Sequence, residues 1–552
     1  MNKYFLVLCA MISCNLYAQV DIMDSGGPLM PEQASYDVTF YDLELAIDPS
    51  QKFIEGRVLV VAEVVQPMDV MVLDLDTLLE VTAVQEVRSG EMGIARDFSR
   101  RGGKIYIPLG NTRQMGTQIK IQVDYEGHPR VAPRAPWDGG FTWAKTPSGA
   151  DWIATTCQTN GADLWWPCKD HVSDEPENMA LHITVPEPLV VASNGRLNRI
   201  EQHGDATVTY HWDITNPINI YNVALNIAPY RTIEETFTSV GGDEFPFVFY
   251  VLPEDYEKGV QIFPEFKAHL AFFENLLGPY PFRSDKYGVA QTPHLGMEHQ
   301  TIIAYGANFS NTSMTRGKDW GFDALHHHEL AHEWWGNLVT NFDWRDMWIH
   351  EGFGTYMQAL YMEELKGMEG YHEYMNNQRR FSNQLAIAPL ATQSAKEIYR
   401  APIYSKGAWV LHSLRHVLGD EVFFEVLRRM CYPDPAMEKI TDGSQTRFVS
   451  TADFQTLCEQ YGQQSLGWFF DNYLRRPEVP VLYSKIEDGV LSLKWEESLD
   501  GTFTMPIEIE MEPGNIARYI IPKGGLTLTF EEGVQPVIDP NHWVLLEKGG
   551  TF

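Results

Sequence analysis

The stretch that most limits what this chain can become runs from His328 through Glu329, Leu330, Ala331 and His332, and is answered, after eighteen intervening residues, by Glu351. Side chains four apart lie on one face of a helix, so both imidazoles can reach a single point. Glu351 can reach that point only if a following helix, beginning there, folds back against the first. Two histidines and a carboxylate around one point, with a fourth position left for water, are the donor set of a catalytic zinc ion, and Glu329 beside the first ligand is placed to be its general base. Phe322, Leu325, Leu330, Ala331, Trp334, Trp335 and Leu338 surround the histidines. That apolar frame predicts a buried helix over about 320 to 339 at the floor of a cleft.

A chain of 552 residues with 44% hydrophobic content has material for about two to four domains. Its start reads as a secretory signal: Lys3 supplies the positive n-region, Tyr4 to Ile12 a short apolar run, and Leu16-Tyr17-Ala18 a cleavage site before Gln19. The run is too short to span a bilayer, so no transmembrane helix is expected. The reading is of an exported protein, periplasmic or secreted if bacterial, with Cys14 as the acylated residue in the alternative reading as a lipoprotein. Cys157, Cys168, Cys431 and Cys458 are too few for a disulfide scaffold, and spacing leaves bridges and buried thiols equally open. A formal charge of −32 argues against a nucleic-acid partner.

Period-two alternation marks strands at Leu43, Leu45, Ile47; at Val58, Val60, Ala62, Val64; at Ile119, Ile121, Val123, Tyr125; and at Val208, Tyr210, Trp212, Ile214. These predict a β domain over 19–235. Helical signals follow: Tyr256 to Leu277, stopped by Gly278 and Pro279, then the histidine helix, then starts at Glu351, near Ile403, at Asp420, after the cap-like Ser450 and around Leu466 to Leu474. They define a mainly helical domain over 236–476, with a short strand region from Tyr287 to Ile303. Alternation returns at Leu491, Leu493, Trp495 and at Ile507, Ile509, Met511, which predicts a C-terminal β-sandwich over 477–552. The fold class is therefore α+β and multidomain.

Five stretches, in order, carry a resemblance: CQTNGADLWWPCKD from Cys157, GMEH from Gly296, HELAHEWWGNLVT from His328, WIHEGFGTY from Trp348 and IYSKGAWVL from Ile403. Together they resemble the gluzincin zinc aminopeptidases of the aminopeptidase N and leukotriene-hydrolase type. The resemblance implies a saddle-like N-terminal β domain, a thermolysin-like catalytic domain and a β-sandwich. It implies one Zn2+ per chain held by His328, His332 and Glu351, with Glu329 as base and Tyr404 as donor to the oxyanion. Glu298 and Gln158 fall at the positions that hold the substrate's N-terminal amine, and Gly296 and Met297 on an edge strand that pairs with its backbone.

The substrates so implied are peptides with a free N-terminus. Rival readings are a thermolysin-type endopeptidase, against which Glu298 and Gln158 argue, and a catalytically silent peptide-binding relative. His299 and His350 depart from the family's asparagines. His326 and His327 should diverge from the ion by about 100° per residue along the helix. Asp323 and Asp346 are candidate acceptors from the ligand imidazoles. Members of the family commonly end in a large helical domain, and about 75 residues follow Pro477 here; the expectation is a more open cleft or one covered by a second subunit, with the oligomeric state open.

Overall fold

The computed structural model describes residues 24–88, 93–499, 503–531 and 533–550. The signal segment 1–18, with Lys3 and Cys14, lies outside them. The protein is multidomain: a β-rich N-terminal part, a helical middle part and a β-rich C-terminal part.

The N-terminal part is built on an eight-stranded sheet in which Tyr36–Asp48 pairs with Phe53–Val64 on one side and, in parallel, with Asn178–Pro186 on the other. Along Gln118–Gly127 every second side chain is buried, as the alternation required for a sheet with one covered face. A second, four-stranded sheet includes Asp151–Thr156, whose end delivers the chain to Gln158.

A third sheet of five strands runs Arg231–Thr238, Glu244–Val251, Tyr287–Gln291, Ile303–Tyr305, Gly296–Met297. Arg231–Thr238 pairs with Glu244–Val251 along its whole length, so the sheet that carries the site starts ahead of residue 236. Alternation announces a strand but not which sheet it joins. Gly296–Met297 pairs only with Ile303–Tyr305 and forms the open edge.

Eight helices occur among the described residues: α1 (Tyr256–Leu277), α2 (Ala324–Ala331), α3 (Trp348–Gln378), α4 (Ala395–Ile398), α5 (Ser405–Leu418), α6 (Asp420–Cys431), α7 (Thr451–Gly462) and α8 (Gly467–Tyr473). Helix α2 is much shorter than the expected 320–339. Asp323 caps its start by accepting from the His326 amide, and past His332 the chain turns through Gly336, whose φ of 140° suits glycine. Helix α3 begins at Trp348, so Glu351 lies inside its first turn rather than at its start. Helices α3 and α5 touch backbone to backbone: a Cβ on Gly352 would lie 2.9 Å from Gly407 Cα. Glu351 and Tyr404 flank that crossing, which is how two distant segments are brought to one site.

The C-terminal part packs a four-stranded sheet (with Val481–Glu487 and Val490–Trp495 central) beside a three-stranded one centred on Pro506–Glu512. The four cysteines among the described residues, Cys157, Cys168, Cys431 and Cys458, are buried free thiols. No described helix is long and apolar enough to cross a membrane.

Candidate active site

Helix α2 presents His328 and His332 toward the first turn of α3. The Nε2 atoms of the two histidines are 3.3 Å apart, and Glu351 Oε2 lies 3.4 Å from His328 Nε2 and 3.6 Å from His332 Nε2. Ligands about 2.0–2.1 Å from a tetrahedral zinc stand roughly 3.3–3.4 Å from one another, so the three atoms already form one face of such a tetrahedron. Glu351 Oε2 is buried with no hydrogen-bond partner, an atom that protein alone leaves unsatisfied. The residues present therefore fit the ion.

The support behind these ligands differs from the expectation. His332 Nδ1 donates to the Trp335 carbonyl at 3.0 Å, which sets its tautomer and leaves the Nε2 lone pair free to ligate. Neither candidate aspartate reaches a ligand: Asp323 caps α2 and accepts from Tyr305, while Asp346 accepts from Thr451. The turn that follows α2 brings a carbonyl to the ring first, and sequence spacing carries no sign of that turn. His350 accepts the Asn341 amide at 3.0 Å, a structural contact. His299 is fully buried with neither ring nitrogen bonded, and burial holds its imidazole down to about 3 and neutral. His326 and His327 point away from the triad into aromatic packing.

Glu329 lies against the edge strand. A Cβ on Gly296 would stand 2.6 Å from Glu329 Oε1, so a side chain there would displace the carboxylate. Met297 follows on the same strand, whose outer side is unpaired and can take an extended chain as a further strand. Next along, Glu298 is buried and held by two N-terminal-part residues: Gln158 donates its amide to Oε1, and Tyr221 its hydroxyl at 3.2 Å. Because the carboxylate takes the Gln158 NH2, the amide oxygen of Gln158 is left to accept from a ligand. The carboxylates of Glu298 and Glu329 and a ring nitrogen of His332 lie within 4.8 Å of one another.

Tyr404 precedes α5, its ring 5.9 Å from that of His328, and its hydroxyl is 2.6 Å from that of Tyr399. Neither Tyr221 nor Tyr399 is marked by the sequence as a site residue. Tyr221 has no motif around it, and Tyr399 stands five residues before Tyr404 with no spacing that marks the pair.

His328, His332, Glu351, Glu329, Glu298, Gln158, Tyr399 and Tyr404 line one cavity of about 750 Å³, with Trp137, Met314, Trp320, Gln358, Tyr374 and Phe381 among its walls. Its floor is electrostatically unbalanced. Burial pushes the Glu298 carboxyl up to about 7, the charge of Glu351 adding and His332 opposing. Burial, then the charges of Glu298 and Glu351, lift Glu329 well above the usual carboxylate range. Burial holds the His328 imidazole down to about 4, neutral and able to ligate. Three carboxylates converging beside two imidazoles make a place for a cation.

Fold and site together define a multidomain protein in which two histidines and one glutamate can hold a metal ion beside a further carboxylate, Glu329. Comparison with known families agrees: residues 38–221 match the peptidase M1 N-terminal domain and residues 263–473 the peptidase family M1 domain. The chain belongs to peptidase family M1. It is similar to the leucyl aminopeptidase of Saccharolobus solfataricus, 22% identical over 83% of this chain and 57% of that one. It is also similar to endoplasmic reticulum aminopeptidase 2 of Bos taurus, 27% identical over 63% of this chain and 39% of that one. The chain thus spans 57% or less of the length of these two relatives. Among solved structures, the M1 zinc metallopeptidase from Deinococcus radiodurans superposes with a TM-score of 0.64 at 24% identity, covering 83% of this chain and 98% of that one. Aminopeptidase A of Legionella pneumophila superposes at 0.73 with 16% identity, covering 94% of this chain and 60% of that one.

Proposed function

We propose that the protein is a zinc aminopeptidase that removes the N-terminal residue of oligopeptides. The observation that carries this reading is the closeness of Glu298 to the triad. A carboxylate oxygen of Glu298 lies within 4.8 Å of a His332 ring nitrogen. An ammonium held there is one residue from the carbonyl at the ion, since N–Cα and Cα–C bonds add to about 3 Å at most. No residue can precede it, and so the bond presented is the first.

His328, His332 and Glu351 would hold the zinc, which when bound polarises the scissile carbonyl and lowers the pKa of water toward neutrality. Glu329, as the carboxylate, takes the water's proton, which burial helps it hold, and returns it to the departing amine. Tyr404, oriented by Tyr399, donates its hydroxyl to the oxygen that gains charge. Glu298 and the amide oxygen of Gln158 bind the ammonium, and the edge strand Gly296–Met297 aligns the peptide. The names of the relatives support the same reading, as does the tripeptide Tyr-Ser-Ala bound to a form of the Deinococcus enzyme. The apolar run behind Lys3 supports an exported location, periplasmic or secreted if bacterial.

The test is release of amino acids from peptides with free and acetylated N-termini, with and without a chelator. Hydrolysis confined to free N-termini, lost with chelator and restored by zinc, is the expected result. Internal cleavage of acetylated peptides would transfer the protein to the endopeptidases, and a zinc-loaded protein that cuts neither set would be a silent relative.

A further inference from the structure

The arginines of the chain fall into two groups. Most are engaged: Arg415 with Glu363 and Asp420, Arg428 with Glu438, Arg283 with Asp243, and others with carbonyls or rings. Among the described residues only Arg316, Arg380 and Arg400 have side chains that make no hydrogen bond, ion pair or ring contact. All three line the cavity that holds the triad. They come from separate segments: the turn ahead of α2, the residues just past α3, and the residue two past the end of α4. Arg316 also has a φ of 55°, a left-handed backbone that a side-chain-bearing residue seldom adopts.

The charged lining of this cavity is divided. Glu298, Glu329 and Glu351 are buried at its floor, and the three arginines are exposed at its mouth. No lysine and no further carboxylate lines it. The chain as a whole carries −32, a field that repels anions. Three uncompensated guanidinium groups at one mouth run against that field, and guanidinium is the side chain whose paired N–H groups match a carboxylate.

We propose that Arg316, Arg380 and Arg400 bind a substrate carboxylate, and that this carboxylate is the free C-terminus of a short peptide whose ammonium sits at Glu298. The inference rests on the aminopeptidase reading and adds the substrate class to it: peptides of a few residues, recognised at both ends. A cavity of about 750 Å³ suits a ligand of that size.

The experiment compares kcat/KM for a tripeptide and its C-terminal amide, in the wild type and in Arg316→Gln/Arg380→Gln/Arg400→Gln. Expected is a preference for the free acid of about tenfold or more, the usual worth of a charge-assisted contact, which weakens with salt. In the triple variant the ratio of acid to amide falls toward one; using a ratio makes the result independent of any general loss in that variant. Equal rates on acid and amide in the wild type would overturn the proposal while leaving the aminopeptidase reading intact. A preference that survives unchanged in the variant would also overturn it, by placing the anion elsewhere. A third arm uses amidated peptides with Glu or Gln at the third position: a Glu preference exceeding the acid preference would mean a side chain is read, not the terminus. Failure to release any residue from the tripeptide would instead strike the function itself.

Discussion

Helix α2 has two sides, and both carry histidine. His328 and His332 face the cavity, 3% and 1% exposed; His326 and His327 face the opposite way and are 0% exposed. Residue type and burial are therefore the same. What differs is the neighbour. On the cavity side both rings share Glu351, whose Oε2 has no hydrogen-bond partner. On the other side His326 stacks on Phe266 at 3.7 Å and bonds His269 and Tyr287, while His327 is enclosed by Phe272, Phe273, Phe322 and Tyr361. A metal site is made by an oxygen donor and open space beside the imidazole, not by a run of histidines.

The comparison breaks most sharply on the cavity side. His332→Ala should lose zinc and reduce peptide hydrolysis to background, read by elemental analysis and by product release. Glu329→Gln should keep zinc yet lose about 10²–10⁴-fold in kcat, the usual contribution of a general base; an equal loss of metal would make Glu329 a ligand instead. Gly296→Ala drives a methyl toward Glu329 Oε1 and Leu325. A displacement of that kind costs about 10²-fold in rate with zinc retained, and unchanged kcat would show that the carboxylate does not need this position.

The far side should respond in stability. Burial holds His269, bonded to His326, down to about 3 from 6.5. A depressed folded value means stability that is present above 6.5 and lost as pH falls toward 3, because the unfolded chain takes the proton first. The wild type should therefore lose stability relative to His269→Gln across that window, measured by denaturant titration at several pH values; parallel curves would mean the ring is protonated when folded. Least affected is His327→Phe. Neither of its ring nitrogens has a partner, so an aromatic of similar shape should alter stability by less than about 1.5 kcal/mol and leave activity in place.

The sequence disclosed the site better than it disclosed the frame around it. His328, His332, Glu351 and Glu329 are legible because a metal imposes residue types at fixed spacing, and the structure brings all four into one cavity with Glu298, Gln158, Tyr404 and the Gly296–Met297 edge. Helix α1 was legible to its ends, since Gly278 and Pro279 stop it. The length of α2 was not, because Trp334 and Trp335 continue the apolar pattern through a turn that is set by tertiary packing. The acceptor for His332 escaped for the same reason: a backbone carbonyl has no letter in the sequence. Tyr221 was hidden by its distance from Glu298 along the chain, as was the division of the arginines, which exists only once every partner has been placed.

The measurement closest to the centre of this account is zinc bound per chain, determined on wild type, His332→Ala and His327→Phe purified alike. One ion in the wild type, close to none in His332→Ala and one in His327→Phe is the result predicted. Zinc retained by His332→Ala, or lost from His327→Phe, would contradict the assignment of the ion to the cavity face of α2, and with it the chemistry built on that face.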